Sequence, residues 1–127
     1  MESSDNKKKY GIKRIGNSIK NSCNGLLQAY KNEQSMLLHF IASVLLVFLS
    51  IYCKISRMEW LAVIGIIGLT GTIELLNTAI ERVVDLATSE FHPLAKAAKD
   101  ISSAAEFVLV IASTIIALLI FIPKWIP

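Results

Sequence analysis

The 127-residue sequence has few of the residues from which small soluble proteins build metal and redox sites. It contains two cysteines and two histidines, and Cys23 and Cys53 have neither a CxxC spacing nor a histidine cluster beside them. We therefore expect no metal site at the cysteines. No segment matches the phosphate-binding P-loop, the dinucleotide-binding glycine pattern, the HExxH zinc motif or the protein-kinase motif set. A nucleotide would have to be bound without any of these motifs.

Hydrophobic residues, in contrast, make up 54% of the chain, and its mean hydropathy is +0.55. A soluble domain of this size has too little interior to bury so much apolar surface. The first apolar run begins near Met36, which is too late for a cleavable signal peptide. The length leaves room for one domain, so we predict a single all-α integral membrane domain over residues 1–127.

The spacing of apolar residues divides the chain into a tail, an amphipathic helix and three apolar spans. We expect a disordered tail at residues 1–9, a surface helix at about 10–30, and transmembrane helices at about 36–53, 60–86 and 101–122. The surface helix lies along the membrane in our preferred interpretation, and packing on protein alone stays open.

Two prolines and three glycines bear on the ends and the packing of these spans. We expect Pro93 to interrupt a polar connection over residues 87–100, and Pro123 to end the third span. Gly65, Gly68 and Gly71 recur at three-residue steps, which favours close packing of the second span against a neighbouring helix.

The basic residues predict the orientation in the membrane. With the N-terminus in the cytoplasm, ten basic residues lie inside and only Lys54, Arg57 and Lys124 lie outside. A basic N-terminal segment beside apolar spans suits an anionic membrane surface, and no motif for nucleic-acid binding accompanies it. We predict a multi-pass membrane protein with its N-terminus in the cytoplasm.

A stripe of polar residues marks the cytoplasmic half of the second span. Glu74, Asn77, Glu81 and Asp85 are separated by three, four and four residues, so they share one helical face. A central carboxylate costs about 2.5–3.5 kcal/mol on insertion scales, which makes a functional role the default. Glu74, the deepest, suits a general base, and those nearer the boundary suit Mg²⁺. Asp85 has a second interpretation, as the partner of Arg82.

More charged residues lie on the same side. Glu33 follows the surface helix, and Lys99 and Asp100 precede the third span. Asp100 has the alternative role of a helix N-cap, and Lys99 that of a boundary cation. Together with the stripe they provide carboxylates for a metal and a cation for phosphate, a combination that indicates phosphoryl transfer.

The segments AYKNE at residues 29–33, ELLNTAIERVVDL at 74–86, EFHP at 90–93 and AKAAKDISSAA at 95–105 resemble the prokaryotic diacylglycerol kinase and undecaprenol kinase family. The resemblance runs from about Lys13 to the end of the chain. It implies a homotrimer of three-span subunits, each with a surface helix, in which a lipid alcohol is phosphorylated by ATP and Mg²⁺.

The resemblance also implies a role for each matching position. Glu74, Asn77 and Lys99 would be catalytic, with Glu74 as the base; Glu33 and Glu81 would hold Mg²⁺. The nucleotide would contact Arg14, Asn21, Glu33, Glu81, Glu90, Phe91, His92, Lys99 and Asp100. The lipid would contact Glu74, Ser103, Ser35 and His39.

Two features bear on the substrate and on the site. HPLAKAAKD and IALLIFIPK resemble the Gram-positive branch, so undecaprenol is the expected acceptor and diacylglycerol the alternative. Glu106 stands where the family usually has a small apolar residue; it would either pair with Lys99 or reach the site. A proton-coupled transport subunit and a non-catalytic membrane adaptor remain as distant alternatives. The first needs acidic groups through the full depth of the membrane, and the outer half of each span is apolar.

Overall fold

The computed structural model describes the backbone of residues 4–126 and the side chains of residues 11–126. It contains four helices: α1 Ser4–Asn32, α2 Gln34–Tyr52, α3 Arg57–Ala87 and α4 Pro93–Trp125. The prediction of an all-helical chain is confirmed. α1 forms one compact unit, and the chain from Glu33 onward forms a second.

α1 begins at Ser4 and so includes residues 4–9, which the sequence suggested were disordered. Residues 1–3 of the predicted tail lie outside the described residues. The three lysines at positions 7–9 have high helix propensity, which favours this longer helix. Along α1 the apolar side chains of Ile12, Ile15 and Ile19 are exposed. The position of α1 on a membrane surface remains a prediction.

α2, α3 and α4 are each long and apolar enough to cross a membrane. At 1.5 Å per residue, α3 is about 47 Å long and α4 about 50 Å, whereas α2 is about 29 Å. The hydrocarbon core of a bilayer is about 30 Å thick, so α3 and α4 must continue beyond it. The three predicted spans are thus present, two of them longer than the pattern suggested.

The turn between α2 and α3 contains a C-cap for α2 followed directly by an N-cap for α3. Lys54 lies in the left-handed region at φ 49°, and the N–H of Ile55 donates to the carbonyl of Ser50 (3.3 Å), as in a Schellman motif. Ser56 then forms a capping box with Glu59, whose carboxylate accepts from the Ser56 N–H at 2.6 Å. This box starts α3 at Arg57, three residues before the predicted start.

The connection between α3 and α4 is much shorter than predicted. Thr88 caps the end of α3, and His92 caps the start of α4, its Nδ1 accepting from the Leu94 N–H at 3.2 Å. Pro93 is the first residue of α4 and not a breaker within a loop, because its missing N–H needs no partner there. Asp100 lies two turns inside α4, so the alternative role of N-cap is wrong.

The predicted stop at Pro123 is also wrong, since α4 continues to Trp125. A proline so close to a helix end removes one backbone hydrogen bond, and this loss does not force the last turn apart.

The three-helix unit buries an apolar cluster at one end and several polar side chains towards the other. Ile55, Val63, Ile120 and Phe121 form the apolar core beside the α2–α3 turn. Towards the other end, the buried side chains include Glu74, Asn77, Thr78 and Ser102. Most other apolar side chains of the spans remain exposed, as expected of helices that face lipid.

Candidate active site

The polar stripe of α3 runs from the interior of the helix unit to its surface. The Glu74 side chain is 3% exposed and Asn77 is 9% exposed, whereas Glu81 is half-buried and Asp85 is exposed. The Oδ1 atom of Asn77 has no hydrogen-bond partner among the described residues. A buried acceptor without a partner is costly, so this atom is suited to a bound group that donates a hydrogen.

α4 brings a second carboxyl group to the buried end of this stripe. The half-buried Glu106 and Glu74 are hydrogen-bonding partners across the α3–α4 contact, and Glu81 is the next acidic group facing Glu106. The sequence left two interpretations of Glu106, pairing with Lys99 or reaching the site. The structure favours the second, because the ion-pair partner of Lys99 is Asp85.

Two lysines of α4 near the stripe each form an ion pair with an acidic side chain. Lys99 Nζ lies 2.6 Å from Asp85 Oδ1. Lys96 pairs with Asp100 one turn further along α4. These pairs decide the open question about Asp85, which contacts Lys99 and not Arg82.

Arg82 instead joins the start of α2 to α3. Its Nη2 lies 2.9 Å from Glu33 Oε1, in a pair whose side chains are 46% and 31% exposed. Glu33 is thereby held against α3, at the residue that follows Glu81.

A pocket of about 470 Å³ opens where the α3–α4 connection meets the first turns of α4. Its lining includes Glu90, Phe91 and His92 from the connection, and Lys99 and Asp100 from α4. The structure thus brings together five residues that the resemblance assigns to the nucleotide. Phe91 offers a ring for a base, and Lys96 and Lys99 offer cations for phosphates, although both lysines are ion-paired with the acidic residues Asp100 and Asp85 of the same lining.

A second pocket, of about 290 Å³, lies between α2, α3 and α4 on the membrane side of Glu74. His39 and Thr70 border it, and Thr70 is one turn from Glu74 along α3. The remaining lining is mostly apolar, with Ser43, Ser113 and Thr114 as further polar members.

The polar contacts of this second pocket leave unused hydrogen-bonding capacity. Thr70 Oγ1 donates to the carbonyl of Ile66 (2.8 Å) and lies 2.6 Å from His39 Nε2. Because the threonine hydrogen is committed to Ile66, His39 Nε2 must be the donor, and Nδ1 is left with no partner among the described residues. Ser113 Oγ is likewise buried without a described partner.

The remaining predicted residues are more scattered. Ser35 and Ser103 are exposed on α2 and α4, and neither lines the His39 pocket. Arg14 and Asn21 are exposed on α1, in the separate N-terminal unit, so their roles remain predictions.

Within the described part of the chain, no group of three or more His, Cys, Asp or Glu side chains is close enough to hold a metal ion. Mg²⁺ does not require such a group, since it takes one or two carboxylates together with waters and substrate phosphates. Glu33 and Glu81 offer carboxylates of the type this donor set uses, and Glu33 is ion-paired with Arg82.

Comparison with known proteins decides which family this site belongs to. The family described as prokaryotic diacylglycerol kinase matches residues 20–121. This chain belongs to the prokaryotic diacylglycerol kinase family. The predicted resemblance is confirmed, and so is the prediction of a lipid kinase, because the family and its matching relatives carry the names of lipid kinases.

Individual relatives match this diacylglycerol kinase family member over nearly its whole length. The undecaprenol kinase of Bacillus subtilis is 37% identical over 124 residues, covering 98% of this chain and 99% of the relative. The diacylglycerol kinase of Pseudomonas aeruginosa is 37% identical over 115 residues, covering 91% and 94%. The diacylglycerol kinase of Escherichia coli K12 is 33% identical over 105 residues, covering 83% and 86%.

Three contacts of this site could not be found from the sequence: Arg82 with Glu33, Thr70 with His39, and Glu106 with Glu74. Each joins residues that are far apart in the sequence, so the spacing of residues along the chain does not predict it. The signal available for the third was the cost of a carboxyl group six positions into an apolar span.

Proposed function

We propose that this protein phosphorylates undecaprenol with ATP and Mg²⁺ at the cytoplasmic face of a bacterial plasma membrane. The observation that carries the proposal is the position of Glu74. A buried carboxyl group lies one turn from a mostly apolar pocket, on a stripe that leads to a second cavity bordered by both acidic and basic side chains. A lipid alcohol and a nucleotide would meet at such a position.

The choice of undecaprenol rests on similarity along the chain. The undecaprenol kinase of Bacillus subtilis aligns with 98% of the chain, although a diacylglycerol kinase reaches the same 37% identity over a shorter span. The segments HPLAKAAKD and IALLIFIPK are also those that resemble the Gram-positive branch. Diacylglycerol is the alternative acceptor, and phosphatidic acid would then be the product.

The transfer requires one proton and one phosphoryl group to move. The carboxylate of Glu74 accepts the hydrogen of the lipid hydroxyl as its oxygen attacks the γ-phosphorus of ATP. The bond between the γ-phosphorus and the bridging oxygen breaks, and ADP leaves with that oxygen. Asn77 would orient the attacking oxygen or the base through its amide N–H, because the single hydrogen of the lipid hydroxyl goes to Glu74. The products are undecaprenyl phosphate, ADP and a proton on Glu74.

The nucleotide would occupy the pocket beside the α3–α4 connection. Lys99 would leave Asp85 for the phosphates, and Phe91 and His92 offer rings for the base. Asp100 and Glu90 border the same pocket, and Arg14 and Asn21 of α1 would add contacts. Mg²⁺, held by Glu33 and Glu81, would neutralise charge on the phosphates.

The lipid chain would enter the pocket around His39. Its lining is mostly apolar, and it begins one turn from Glu74, so an isoprenoid or acyl chain there would leave the hydroxyl beside the base. His39 has an unused Nδ1, which can accept a hydrogen from a polar group of the lipid. Ser35 and Ser103 would border the path from the bilayer.

Two further parts of the proposal rest on the charge distribution and on the family. The N-terminus lies in the cytoplasm, because this orientation places ten of thirteen basic residues inside. The active protein is a homotrimer of subunits that share their sites, as the family resemblance implies.

The test is transfer of labelled phosphate from ATP by the purified protein in detergent micelles. Undecaprenol and diacylglycerol are offered separately, with and without Mg²⁺. Glu74→Gln is compared with Glu59→Gln, a matched change at the other end of α3 that preserves the capping box. We expect Mg²⁺-dependent labelling of undecaprenol that falls by about 10²–10⁴-fold in Glu74→Gln only.

Other results would change the acceptor, the role of Glu74 or the proposed function as a whole. Labelling of diacylglycerol alone would change the acceptor but keep the kinase. No labelling of either lipid by well-folded protein would overturn the proposed function. Full activity of Glu74→Gln in an intact assembly would remove Glu74 as the base and leave the acidic stripe a structural role within the kinase.

A further inference from the structure

Glu106 is a carboxyl group near the buried end of the polar stripe to which the family resemblance assigns no role. It is half-buried on α4 and contacts Glu74 across the α3–α4 interface. Its neighbours on the same face of α4 are Ser103, one turn away, and Lys99, two turns away. A carboxyl group in this apolar setting is costly unless its partner makes use of it.

The charged groups that face Glu106 are acidic. They are Glu74 and Glu81, both on α3. Lys99, the cation on the same face of α4, has its Nζ on Asp85 Oδ1. Ion pairing therefore does not explain Glu106 within the described part of the chain.

A contact between two carboxyl groups requires a hydrogen. Two ionised carboxylates have only acceptor atoms, so they cannot hydrogen-bond and they repel each other, most strongly where water is excluded. One member of the pair must be a carboxylic acid that donates its O–H to the other. Since Glu74 must be ionised to accept a proton from the lipid hydroxyl, the donor is Glu106.

We propose that Glu106 is a positioning residue for the base Glu74 in the kinase reaction. As a carboxylic acid, it donates its hydrogen to one carboxylate oxygen of Glu74. The other oxygen of Glu74 then remains directed to the acceptor hydroxyl. This inference rests on the proposed function, because it assigns Glu106 a purpose only if Glu74 acts as the base.

The hydrogen bond also limits the motion of Glu74. A free glutamate has three rotatable bonds and can turn away from its substrate, whereas a donor on the facing helix selects one orientation. Errors of about 1 Å in the position of a reacting group can cost about 10²-fold in rate. We therefore expect the loss of the donor to lower kcat and to leave the KM for ATP unchanged, since the nucleotide pocket does not include Glu106.

The experiment compares three variants in the phosphate-transfer assay. Glu106→Leu removes the donor, Glu106→Gln keeps a donor in its amide N–H, and Phe107→Leu is the neighbouring control at an exposed position. We expect Glu106→Leu to lose about 10²-fold in kcat. Glu106→Gln should retain most of the wild-type kcat, and Phe107→Leu should match the wild type.

Infrared spectroscopy tests the hydrogen itself without relying on turnover. The wild-type protein should show the C=O stretch of a protonated carboxyl group, and Glu106→Gln should remove that band. Thermal unfolding and gel filtration of each variant establish that a loss of kcat does not reflect a loss of folding.

The results separate this inference from the proposed function. A wild-type kcat in Glu106→Leu overturns the role of Glu106, as does an equal loss in Glu106→Leu and Glu106→Gln or an absent carboxylic-acid band. Wild-type protein that phosphorylates neither lipid overturns the proposed function, and with it any part of Glu106 in catalysis.

Discussion

Replacing Gly71 by alanine would place a methyl group against the imidazole of His39. A Cβ at this position would lie 3.2 Å from His39 Cε1, which is closer than ordinary van der Waals contact. The ring must yield by a few tenths of an ångström, and it is held by the 2.6 Å hydrogen bond to Thr70. At Gly65 and Gly68 no described residue lies within 4 Å of such a methyl group. The three glycines are therefore not equivalent, because of the three only Gly71 packs closely against a described side chain.

Two opposing contributions decide the stability of the variant. Alanine is favoured over glycine inside a helix by about 0.8–1.0 kcal/mol. Weakening the bond between His39 and Thr70 would cost up to about 0.5–1.5 kcal/mol. We expect Gly71→Ala to leave the free energy of unfolding nearly unchanged, and Gly68→Ala to raise it by about 1 kcal/mol.

Unfolding of the detergent-solubilised variants by denaturant measures this difference. In the kinase assay Gly71→Ala should also raise the KM for the lipid, because His39 borders the proposed lipid pocket, while Gly68→Ala should not. If Gly71→Ala were stabilised as much as Gly68→Ala and kept its lipid KM, His39 would not be packed on Gly71, and the pocket would be wrongly described.

Two further predictions concern other parts of the chain. Arg82→Ala removes a half-exposed pair worth about 0–1 kcal/mol, so it should leave Glu33 freer and strengthen the apparent Mg²⁺ affinity by up to about fivefold. Magnesium titration of the activity measures this, and a weaker affinity would count against Glu33 as a metal ligand. Lys54→Gly relieves a left-handed residue that costs about 1–2 kcal/mol, partly offset by the entropy of glycine, so the protein should gain about 0.5–1 kcal/mol. Destabilisation in denaturant unfolding would contradict the description of the Lys54 turn.

Helix existence could be predicted from the sequence, but helix ends could not. Hydrophobic runs of 18 or more residues are sufficient to identify a span, because backbone groups in lipid must bond within the helix. The start of α4 at Pro93 depends on His92 accepting from the Leu94 N–H. The start of α3 depends on the reciprocal box of Ser56 and Glu59. Such caps are local contacts that hydropathy does not report.

The acidic stripe could also be predicted from the sequence. Separations of three and four residues place Glu74, Asn77 and Glu81 on one face of any helix, whatever surrounds it. The partners in the ion pairs could not be predicted from the sequence. Arg82 was an equally reasonable partner for Asp85 three residues away, yet it contacts Glu33, and Asp85 contacts Lys99.

The residue pattern was enough to predict helices, three segments that can span a membrane, and a shared face of α3 for Glu74, Asn77, Glu81 and Asp85. These properties follow from periodicity and from the cost of polar groups in lipid, which act along a single helix. Only the tertiary structure decided that Glu106 meets Glu74 and that His39 meets Thr70 and Gly71. Contacts of this kind depend on the rotation and depth of one helix against another, which residue spacing within either helix leaves free.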